Sequence, residues 1–350
     1  MRRLLALMLA SVIAACGTQP VLVPDGSIDL GDAGADAGPA DAGPADAGPA
    51  DAGPTDAGPV DAGPVDAGPV DAGPVDAGPA DAGTWRTSLA NCWTDVNCPR
   101  VMAVAHGGAW SASVPYDSNA ALVAAYALGI DGVKIDVRVT ADNVPVIAHS
   151  SPIELFESID CYNKKIENMT AAQVTACHRV PSTTEKFQRL DDVLNYLRGK
   201  MVVQLCVKRS VDYARTIAEV HALGAEDFAF LEISTPELQT LIPTITGSST
   251  VWYLINVAST PAEVDTIIAL NNPRAFMVEF DPTVQLGSIV SAKLHPAGKR
   301  SFTYDNAASP TVAQLKAHFD NGFEVVSAQN AANDVQARQA ANQARGVSPP

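Results

Sequence analysis

The 350-residue sequence has few basic and few aromatic residues, and this scarcity excludes one large class of function. It contains 23 Lys and Arg against 39 Asp and Glu, and aromatic residues make up only 6% of the chain. Proteins that bind nucleic acid present basic patches interleaved with aromatic side chains that stack on bases. No such patch occurs here, so we expect no nucleic-acid partner.

Long apolar segments are also missing once the N-terminus is passed. Residues 1–15 combine a basic start, an apolar run too short to span a bilayer, and small residues before Cys16, which is typical of a secretory signal. The residues Ile13-Ala14-Ala15-Cys16 resemble a bacterial lipobox. That resemblance implies cleavage before Cys16 and lipid on its sulfur, although an ordinary secretory signal with an incidental cysteine is the alternative.

Residues 16–83 are expected to form a disordered linker. From residue 32 onwards the chain repeats Asp-Ala-Gly-Pro with a period of five, a composition that cannot build a packed core. Residues 17–83 hold 13 Asp and no Lys or Arg, so much of the net charge of −16 belongs to the linker. The acidity therefore says little about the partners of residues 84–350. Gly17 rather than Asp follows Cys16. By resemblance to bacterial sorting rules, this implies an exported lipoprotein of the cell envelope that is sent to the outer membrane rather than retained in the inner one.

The remaining cysteines fit an exported protein. An oxidising compartment favours two disulfides, Cys92–Cys98 and Cys161–Cys177, although the sequence does not fix the connectivity. Neither spacing is typical of a tetrahedral zinc site. Cys206 lies in an apolar run and is expected to be a buried free thiol.

Short apolar runs alternate with helix-period stretches along residues 84–350. The runs are 101–105, 132–137, 201–207, 227–233, 250–256, 275–280, 300–304 and 323–328, and the helical stretches are 118–128, 190–197, 211–223, 261–270 and 311–320. Alternating strands and helices indicate parallel strands with helices outside them. Eight such strands predict an α/β fold of the (β/α)8 TIM-barrel type, in which the active site lies at the C-terminal strand ends. We expect a monomer.

Residues 139–148 are expected to form a hairpin arm rather than a ninth barrel strand. Too few residues separate them from the preceding strand for a crossover helix, and Asp142-Asn143 is a turn signal. The arm would return His149 to the C-terminal face of the barrel. The polar insertion that follows, residues 150–188, is expected to cover the barrel mouth as a lid or collar.

Ionisable residues cluster on one predicted strand between two histidines. Side chains alternate faces along a strand, so Lys134, Asp136 and Arg138 share one face. His106 and His149 each follow a short apolar run, which places them at the edge of a core where they can meet substrate. A histidine pair beside a carboxylate and a lysine predicts a catalytic or binding site.

The motifs carrying these residues resemble the glycerophosphodiester phosphodiesterase family, within the phospholipase-C-like phosphodiesterases. They are AHGG at 105–108, GIDGVKIDV at 129–137, TADNVPVIAH at 140–149 and VVQLCVK at 202–208. The resemblance extends over about residues 100–345. It implies that His106 and His149 are the catalytic acid–base pair of a phosphodiesterase, and that the substrate is a phosphodiester small molecule or a phospholipid.

The chemistry of the metal site departs from the family pattern. Of the three family carboxylates that hold a divalent cation, the first is Lys134 here, the second is Asp136, and the third is Cys206. Ca²⁺ and Mg²⁺ need about six oxygen ligands, and an ammonium group at Lys134 would repel the ion. We therefore expect no family-type metal and no cofactor, unless Ca²⁺ or Mg²⁺ is held by carboxylates such as Glu232, Glu279 and Asp281.

Two further positions depart from the family pattern and one agrees with it. The phosphate-facing arginine after the first histidine is Gly107, and the Glu-Asn pair before the first helix is Tyr116-Asp117. The lysine of the family's later strand is kept as Lys208. This leaves Lys134 and Lys208 as the candidate phosphate-binding residues, with Asp136, Asp117 and Arg138 managing charge and orientation.

Three interpretations follow. In the first, Lys134 replaces the cation while the histidines catalyse; this resembles metal-free bacterial phosphatidylinositol phospholipases, in which the substrate's own hydroxyl attacks and gives a cyclic phosphate. In the second, an inactive barrel binds a phosphorylated or anionic ligand or merely supports a surface scaffold, and Lys134–Asp136 is a structural ion pair. In the third, a metal enzyme is retained.

Carbohydrate binding is a further alternative. It would need an aromatic platform, and the aromatic residues Trp110, Tyr116, Tyr253 and Tyr304 are too scattered in sequence to decide.

Overall fold

The computed structural model describes residues 92–258 and 260–347. The predicted signal peptide, Cys16 and the predicted linker lie outside the described residues. Among the described residues, no helix is long and apolar enough to cross a membrane.

Eight parallel strands and one antiparallel strand form a single sheet. The strands are β1 (Met102–His106), β2 (Gly132–Val139), β3 (Pro145–Ile147), β4 (Val202–Val207), β5 (Ala229–Ile233), β6 (Trp252–Ala258), β7 (Ala275–Phe280), β8 (Arg300–Asp305) and β9 (Val325–Ala328). They follow the order β1-β9-β8-β7-β6-β5-β4-β2-β3, and a parallel pairing of β1 with β2 closes the ring. The predicted (β/α)8 barrel is confirmed, and every barrel strand lies between residues 102 and 328.

Helices connect the strands on the outside of the barrel. They are α1 (Asn119–Leu128), α2 (Ala171–Val174), α3 (Leu190–Leu197), α4 (Tyr213–Ala222), α5 (Thr235–Thr240), α6 (Pro261–Ala269), α7 (Val312–Asp320) and α8 (Ala331–Ala344). Several begin at side chains that satisfy the free backbone N–H groups of a first turn. Ser118 caps α1, while Ser234, Thr260 and Thr311 form capping boxes with a Glu or Gln three residues later.

The core has two separate apolar layers, as strand alternation requires. Outward-facing strand residues pack with the helices, for example Val137 against the cluster containing Leu194 and Ile217. The inner layer fills the N-terminal half of the barrel with residues such as Val104 and Phe302. The C-terminal half of the interior is polar, so the candidate site residues lie at that end of the barrel.

Trp93 closes the N-terminal end of the barrel. It is buried, and its ring lies 5.8 Å from the ring of Phe230. A Cβ on Gly132 would stand 3.1 Å from the Trp93 ring, so the missing side chain of Gly132 lets the ring pack closely against β2. The Cys92–Cys98 disulfide and a hydrogen bond from Arg300 Nη1 to the Cys92 carbonyl hold the plug in place.

Both predicted disulfides, Cys92–Cys98 and Cys161–Cys177, are present. Cys206 is buried in β4 as expected, but the prediction of a free thiol is wrong. Cys206 is disulfide-bonded, and none of the described cysteines is free.

The predicted arm is present and extends the barrel at one edge. β3 runs antiparallel to the end of β2, with Val137 opposite Ile147. The turn between them includes Asn143 at φ 62°, a left-handed conformation that asparagine tolerates. Residues 150–188 follow as an insertion with its own small core around Ile166 and Phe187, stapled by Cys161–Cys177.

A buried carboxyl group on α8 generates a prediction about stability. Both carboxylate oxygens of Asp334 are buried without a hydrogen-bond partner among the described residues, beside the ion pair between Arg338 and Asp131. Burial and the neighbouring Asp131 raise the pKa of Asp334 well above its usual value. The folded protein therefore binds a proton at Asp334 that the unfolded chain releases above about pH 4, so stability is lost as pH rises from there toward the raised pKa.

We expect Asp334→Asn to raise the free energy of unfolding at pH 8 by about 1–2 kcal/mol, because the amide carries no charge to bury. At pH 4 the difference should vanish. Thermal unfolding at the two pH values measures this, with exposed Asp192→Asn as the control. A variant that is less stable than the parent at pH 8 would contradict the prediction.

Candidate active site

Strand β2 carries the charged residues of the site into the polar half of the barrel. Lys134 lies opposite His106 of β1 on one side and Gln204 of β4 on the other. Asp136 lies two residues further along, opposite Cys206. Lys134, Asp136 and the facing residues therefore share the inner face at the C-terminal strand ends, as the sequence predicted.

Both histidines reach the same edge of β2, although 43 positions separate them in the sequence. At the end of β1 the Gly107 N–H donates to the Lys134 carbonyl at 2.9 Å. Beyond the end of β1, the chain that follows β3 lies along the same edge of β2, and the Ala148 N–H donates to the Asp136 carbonyl at 2.9 Å. His106 precedes the first of these junctions and His149 follows the second, so both histidines lie along the edge of β2 that carries Lys134 and Asp136.

Tyr116 lies between the two histidine rings. Its ring centroid is 5.9 Å from that of His106 and 6.0 Å from that of His149, both edge-on. The Tyr116 hydroxyl donates to Asp136 Oδ2 at 2.8 Å. Tyr304 packs on the other side of His106 at 4.3 Å. The two imidazoles are therefore held by aromatic edges rather than by carboxylates.

Asp136 is the hub of the charges in the site. Its Oδ1 accepts hydrogen bonds from the ammonium groups of both Lys134 and Lys208, the latter at 2.8 Å. Its Oδ2 accepts from Tyr116, and its backbone N–H donates to Asp117 Oδ2 at 3.2 Å. Two cations share one carboxylate, so Lys134, Asp136 and Lys208 together carry one positive charge in excess.

Opposing effects fix the protonation of this cluster. Burial raises the pKa of Asp136, but Lys134 and Lys208 outweigh it and hold that pKa well below its usual range. Burial lowers the pKa of Lys134, yet Asp136 and other carboxylates bring it above its ordinary value. For Lys208, burial prevails and the pKa is lowered. Asp136 is therefore ionised at neutral pH and Lys134 is charged.

Burial keeps both imidazoles neutral at pH 7. It lowers the pKa of His106 well below 6.5, and Lys134 adds to this effect. Burial also lowers the pKa of His149 to about 3, against the opposing pull of Asp136. His106 Nδ1 is buried without a hydrogen-bond partner among the described residues, whereas His149 Nδ1 contacts Ser150 Oγ at 2.9 Å.

The backbone of His149 is anchored from both directions. Its carbonyl accepts hydrogen bonds from the guanidinium of Arg138 at 2.7 and 3.0 Å. Its N–H donates to Glu157 Oε1 at 2.8 Å. Arg138 was expected to manage charge and orientation, and its contacts are those of a residue that orients His149. Glu157, in the insertion, had no sequence signal that pointed to this position.

The insertion closes over the arm through a buried arginine. Arg179 donates to the Tyr116 carbonyl at 3.0 Å and to the Ile147 carbonyl at 2.6 Å. It also packs over the ring of Phe187, 4.1 Å from the centroid. Residues 150–188 therefore act as a collar that fixes the loop carrying Tyr116 and the arm carrying His149.

Two departures from the family pattern compensate each other. Gly107 has φ +72°, and a Cβ at this position would lie 1.9 Å from Tyr116 Cε2. The Tyr116 ring thus fills the space that a side chain at position 107 would need. Tyrosine at 116 therefore requires glycine at 107, and this dependence was not predicted from the sequence.

Further carboxylates line the barrel away from the histidines. Glu232 accepts hydrogen bonds from Gln204 Nε2 at 3.0 Å and from Asn256 Nδ2 at 3.1 Å. Burial and the nearby Glu232 raise the pKa of Glu279 well above its usual value. Asp281 is exposed and accepts hydrogen bonds from Thr283, outside the site.

The donor set around Asp136 does not fit the hard divalent cation of the family. Both Asp136 oxygens are occupied by ammonium and hydroxyl donors, and the Lys134 ammonium lies where a ligand oxygen is needed. Within residues 92–258 and 260–347, the one cluster of His, Cys, Asp or Glu atoms close enough to share an ion is Asp160, Cys161 and Cys177. Both of its cysteines are in the disulfide.

Among residues 92–258 and 260–347, the aromatic side chains of the site show no platform of the kind that carbohydrate binding uses. Trp110, Tyr116 and Tyr304 lie around His106, and the Trp110 indole N–H donates to the His106 carbonyl at 3.0 Å. Tyr253 is buried in the outer core layer and donates to the Ser248 carbonyl. Tyr116 and Tyr304 contact the His106 ring edge-on, and Trp110 contacts Tyr116 in the same way, so these three side chains hold the histidine.

Comparison with known proteins agrees with this geometry. Residues 107–231, which contain β2, the arm and the collar, match the family model described as the glycerophosphoryl diester phosphodiesterase family. Over this stretch the chain is therefore similar in sequence to that family. A search of curated protein sequences found no match.

Solved structures of glycerophosphodiester phosphodiesterases have the same fold as this chain. One from Parabacteroides distasonis superposes with a TM-score of 0.60 at 16% identity, covering 73% of this chain and 92% of its own. One from Agrobacterium tumefaciens gives 0.53 at 18%, covering 67% and 99%. An Oleispira antarctica phosphodiesterase in complex with the product sn-glycerol-3-phosphate gives 0.51 at 17%, covering 69% and 96%.

Proposed function

We propose that this barrel cleaves phosphodiesters of the glycerophosphodiester or phospholipid head-group class. His106 and His149 act as the acid–base pair, and Lys134 takes the place of a divalent ion. The observation that carries the proposal is the pairing of both lysines with a single carboxylate, beside the two histidines. The complex of the Oleispira antarctica protein with sn-glycerol-3-phosphate supports this substrate class.

The lysine pair suits a phosphodiester because their charges match. Lys134 and Lys208 bear two positive charges against the single negative charge of Asp136, and a phosphodiester brings one more negative charge. Both ammonium groups contact the same oxygen of Asp136, so they lie close to each other. A phosphate oxygen bound beside them would contact both. Fixed cations aimed at a phosphoryl oxygen stabilise the charge that develops in the transition state.

The histidine pair would move the two protons of the reaction. One neutral imidazole accepts the proton of the attacking hydroxyl as its oxygen bonds to phosphorus. The other must carry a proton, which it gives to the leaving alkoxide as the second phosphorus–oxygen bond breaks. A bound phosphodiester anion raises the pKa of the adjacent imidazoles, so substrate binding favours the protonated acid. Water as nucleophile gives a phosphomonoester, and a substrate hydroxyl gives a cyclic phosphate.

The alternative is an inactive barrel that binds an anionic ligand. The Lys134–Asp136–Lys208 cluster is satisfied internally, as a structural ion pair would be, and neither histidine is protonated in the free protein at neutral pH. Turnover separates the two functions. For location, we propose an exported protein of the cell envelope, as residues 1–15 predict.

The decisive experiment assays residues 84–350, which contain every strand of the closed barrel, on glycerophosphodiesters and on phosphatidylinositol. We expect EDTA and added Ca²⁺ to leave turnover unchanged. His106→Ala and His149→Ala should each lower kcat by at least about 100-fold, as loss of a general acid or base does. Lys134→Met should lower kcat/KM by about 10–100-fold through loss of charge stabilisation.

Exposed His221→Ala is the matched control and should retain full activity. Loss of turnover on chelation would establish a metal enzyme and overturn the role of Lys134. Product from none of the substrates, together with Lys134-dependent phosphate binding, would establish the inactive barrel.

The pH dependence tests the state of the histidines. The reaction needs one protonated and one neutral imidazole, and burial lowers the pKa of both below 6.5. We therefore expect kcat/KM, which reports the free enzyme, to be highest on the acidic side and to fall with rising pH through an apparent pKa below 6.5. A profile that declines only above pH 8 would contradict protonation control by these two residues.

A further inference from the structure

Four polar side chains face the barrel interior from strands β4 to β7, on the side of β2 that is away from β1. Glu232 lies opposite Leu254, and Glu279 lies opposite Phe302. Leu254 and Phe302 belong to the inner apolar layer, and residues that pair across parallel strands, or lie two apart along one strand, share a face. The four side chains, here called the acceptor wall, are Gln204, Glu232, Asn256 and Glu279.

The two amide side chains of the acceptor wall each leave one oxygen unpaired. Gln204 Nε2 and Asn256 Nδ2 both donate to Glu232, at 3.0 and 3.1 Å. A carboxylate accepts hydrogen bonds, so each amide turns its NH2 group toward Glu232 and its oxygen away. Gln204 Oε1 and Asn256 Oδ1 are buried without hydrogen-bond partners among the described residues, in residues that are 4% and 8% exposed. Buried acceptors are costly to leave unpaired, which indicates a ligand that donates to them.

The acceptor wall adjoins the lysines that are proposed to hold the phosphate. Lys134 lies between His106 of β1 and Gln204 of β4 in the strand pairing. Burial raises the pKa of Glu232, and the charges of Lys134 and Lys208 oppose this rise, so the three groups are close neighbours. A phosphate beside the lysines would therefore have the histidines on one side and the acceptor wall on the other.

The chemistry of the acceptor wall restricts the kind of alcohol that can occupy it. Acceptors spread over several adjacent strands match a ligand with several hydroxyl donors. A trimethylammonium group has neither O–H nor N–H and would leave both amide oxygens unpaired. A primary ammonium donates from one nitrogen only, so its donors do not spread over these strands. A hard cation needs free ligand oxygens, whereas both oxygens of Glu232 already accept from amide N–H groups.

We infer that the acceptor wall binds the alcohol portion of the substrate, and that this alcohol is a polyol. Its hydroxyl groups would donate to the unpaired oxygens of Gln204 and Asn256 and to the carboxyl groups. The inference rests on the proposed function, because it takes the phosphate to lie beside Lys134 and Lys208, and it adds the class of alcohol. Glycerol and inositol share this chemistry.

Binding of phosphomonoesters to residues 84–350 tests the inference without requiring turnover. Isothermal titration compares glycerol 3-phosphate, myo-inositol 1-phosphate, phosphoethanolamine and phosphocholine, which share a phosphate and differ in the alcohol. We expect a polyol phosphate to bind at least about 10-fold more tightly than phosphocholine and phosphoethanolamine, because its hydroxyls pair the amide oxygens. The tighter of the two polyol phosphates identifies the alcohol.

Variants of the acceptor wall should remove this preference. Asn256→Ala should weaken binding of the polyol phosphate by about 10-fold and change binding of phosphocholine by less than about twofold. Gln239→Ala, which removes an exposed amide from α5, is the matched control and should bind as the parent does. Should Asn256→Ala unfold at a lower temperature than the parent, Glu279→Ala carries the test. It removes a carboxyl group that is costly to bury, and it should lower the preference by at least about threefold.

Hydrolysis of glycerophosphodiesters is measured in parallel, so that the proposed function and this inference fail separately. Turnover without a preference for a polyol phosphate would leave the proposed function standing and overturn the inference. A preference that depends on Asn256, without turnover of any substrate, would support the inference and contradict the proposed function. No binding of any phosphomonoester, tighter binding of phosphocholine or phosphoethanolamine, or an equal loss in Gln239→Ala would also overturn the inference.

Discussion

The site depends on one carboxylate that holds two ammonium groups. Removing Asp136 would leave Lys134 and Lys208 buried side by side without the carboxylate that both contact, and burial would then oppose the charge on each. Asp136 is held in turn by the Tyr116 hydroxyl and by the backbone link to Asp117. The charge, the aromatic contacts of the histidines and the position of the first helix therefore form one connected unit.

The same unit explains why several differences from the family pattern occur together. By the resemblance, Lys134 stands where the family has a carboxylate, and under the proposed function its charge takes the place of an ion. A tyrosine at 116 supplies a hydroxyl to the one remaining carboxylate, and its ring needs a glycine at 107. The collar then fixes Tyr116 and the arm through Arg179. On this account the residues at positions 107, 116 and 134 differ from the family pattern together, because each depends on the contacts of the others.

Much of this arrangement followed from the sequence, because it rests on strand periodicity. Alternation along β2 placed Lys134 and Asp136 on one face, and the short spacing to His149 required a hairpin arm. The position of Tyr116 did not follow, since it lies in a loop whose course depends on contacts distant in sequence. Trp93 and the helix Ala331–Ala344 were missed as well. The helix buries mainly alanines and polar residues, so it lacks the apolar periodicity that marks a helix.

The central claim is that an ammonium group occupies the place of the divalent ion. A crystal structure of residues 84–350 grown with glycerol 3-phosphate and CaCl2, with anomalous scattering recorded for calcium, tests it most directly. The account predicts phosphate oxygens within hydrogen-bond distance of Lys134 Nζ and no calcium beside Asp136. A calcium ion at about 2.3–2.6 Å from an Asp136 oxygen, with Lys134 displaced, would contradict it.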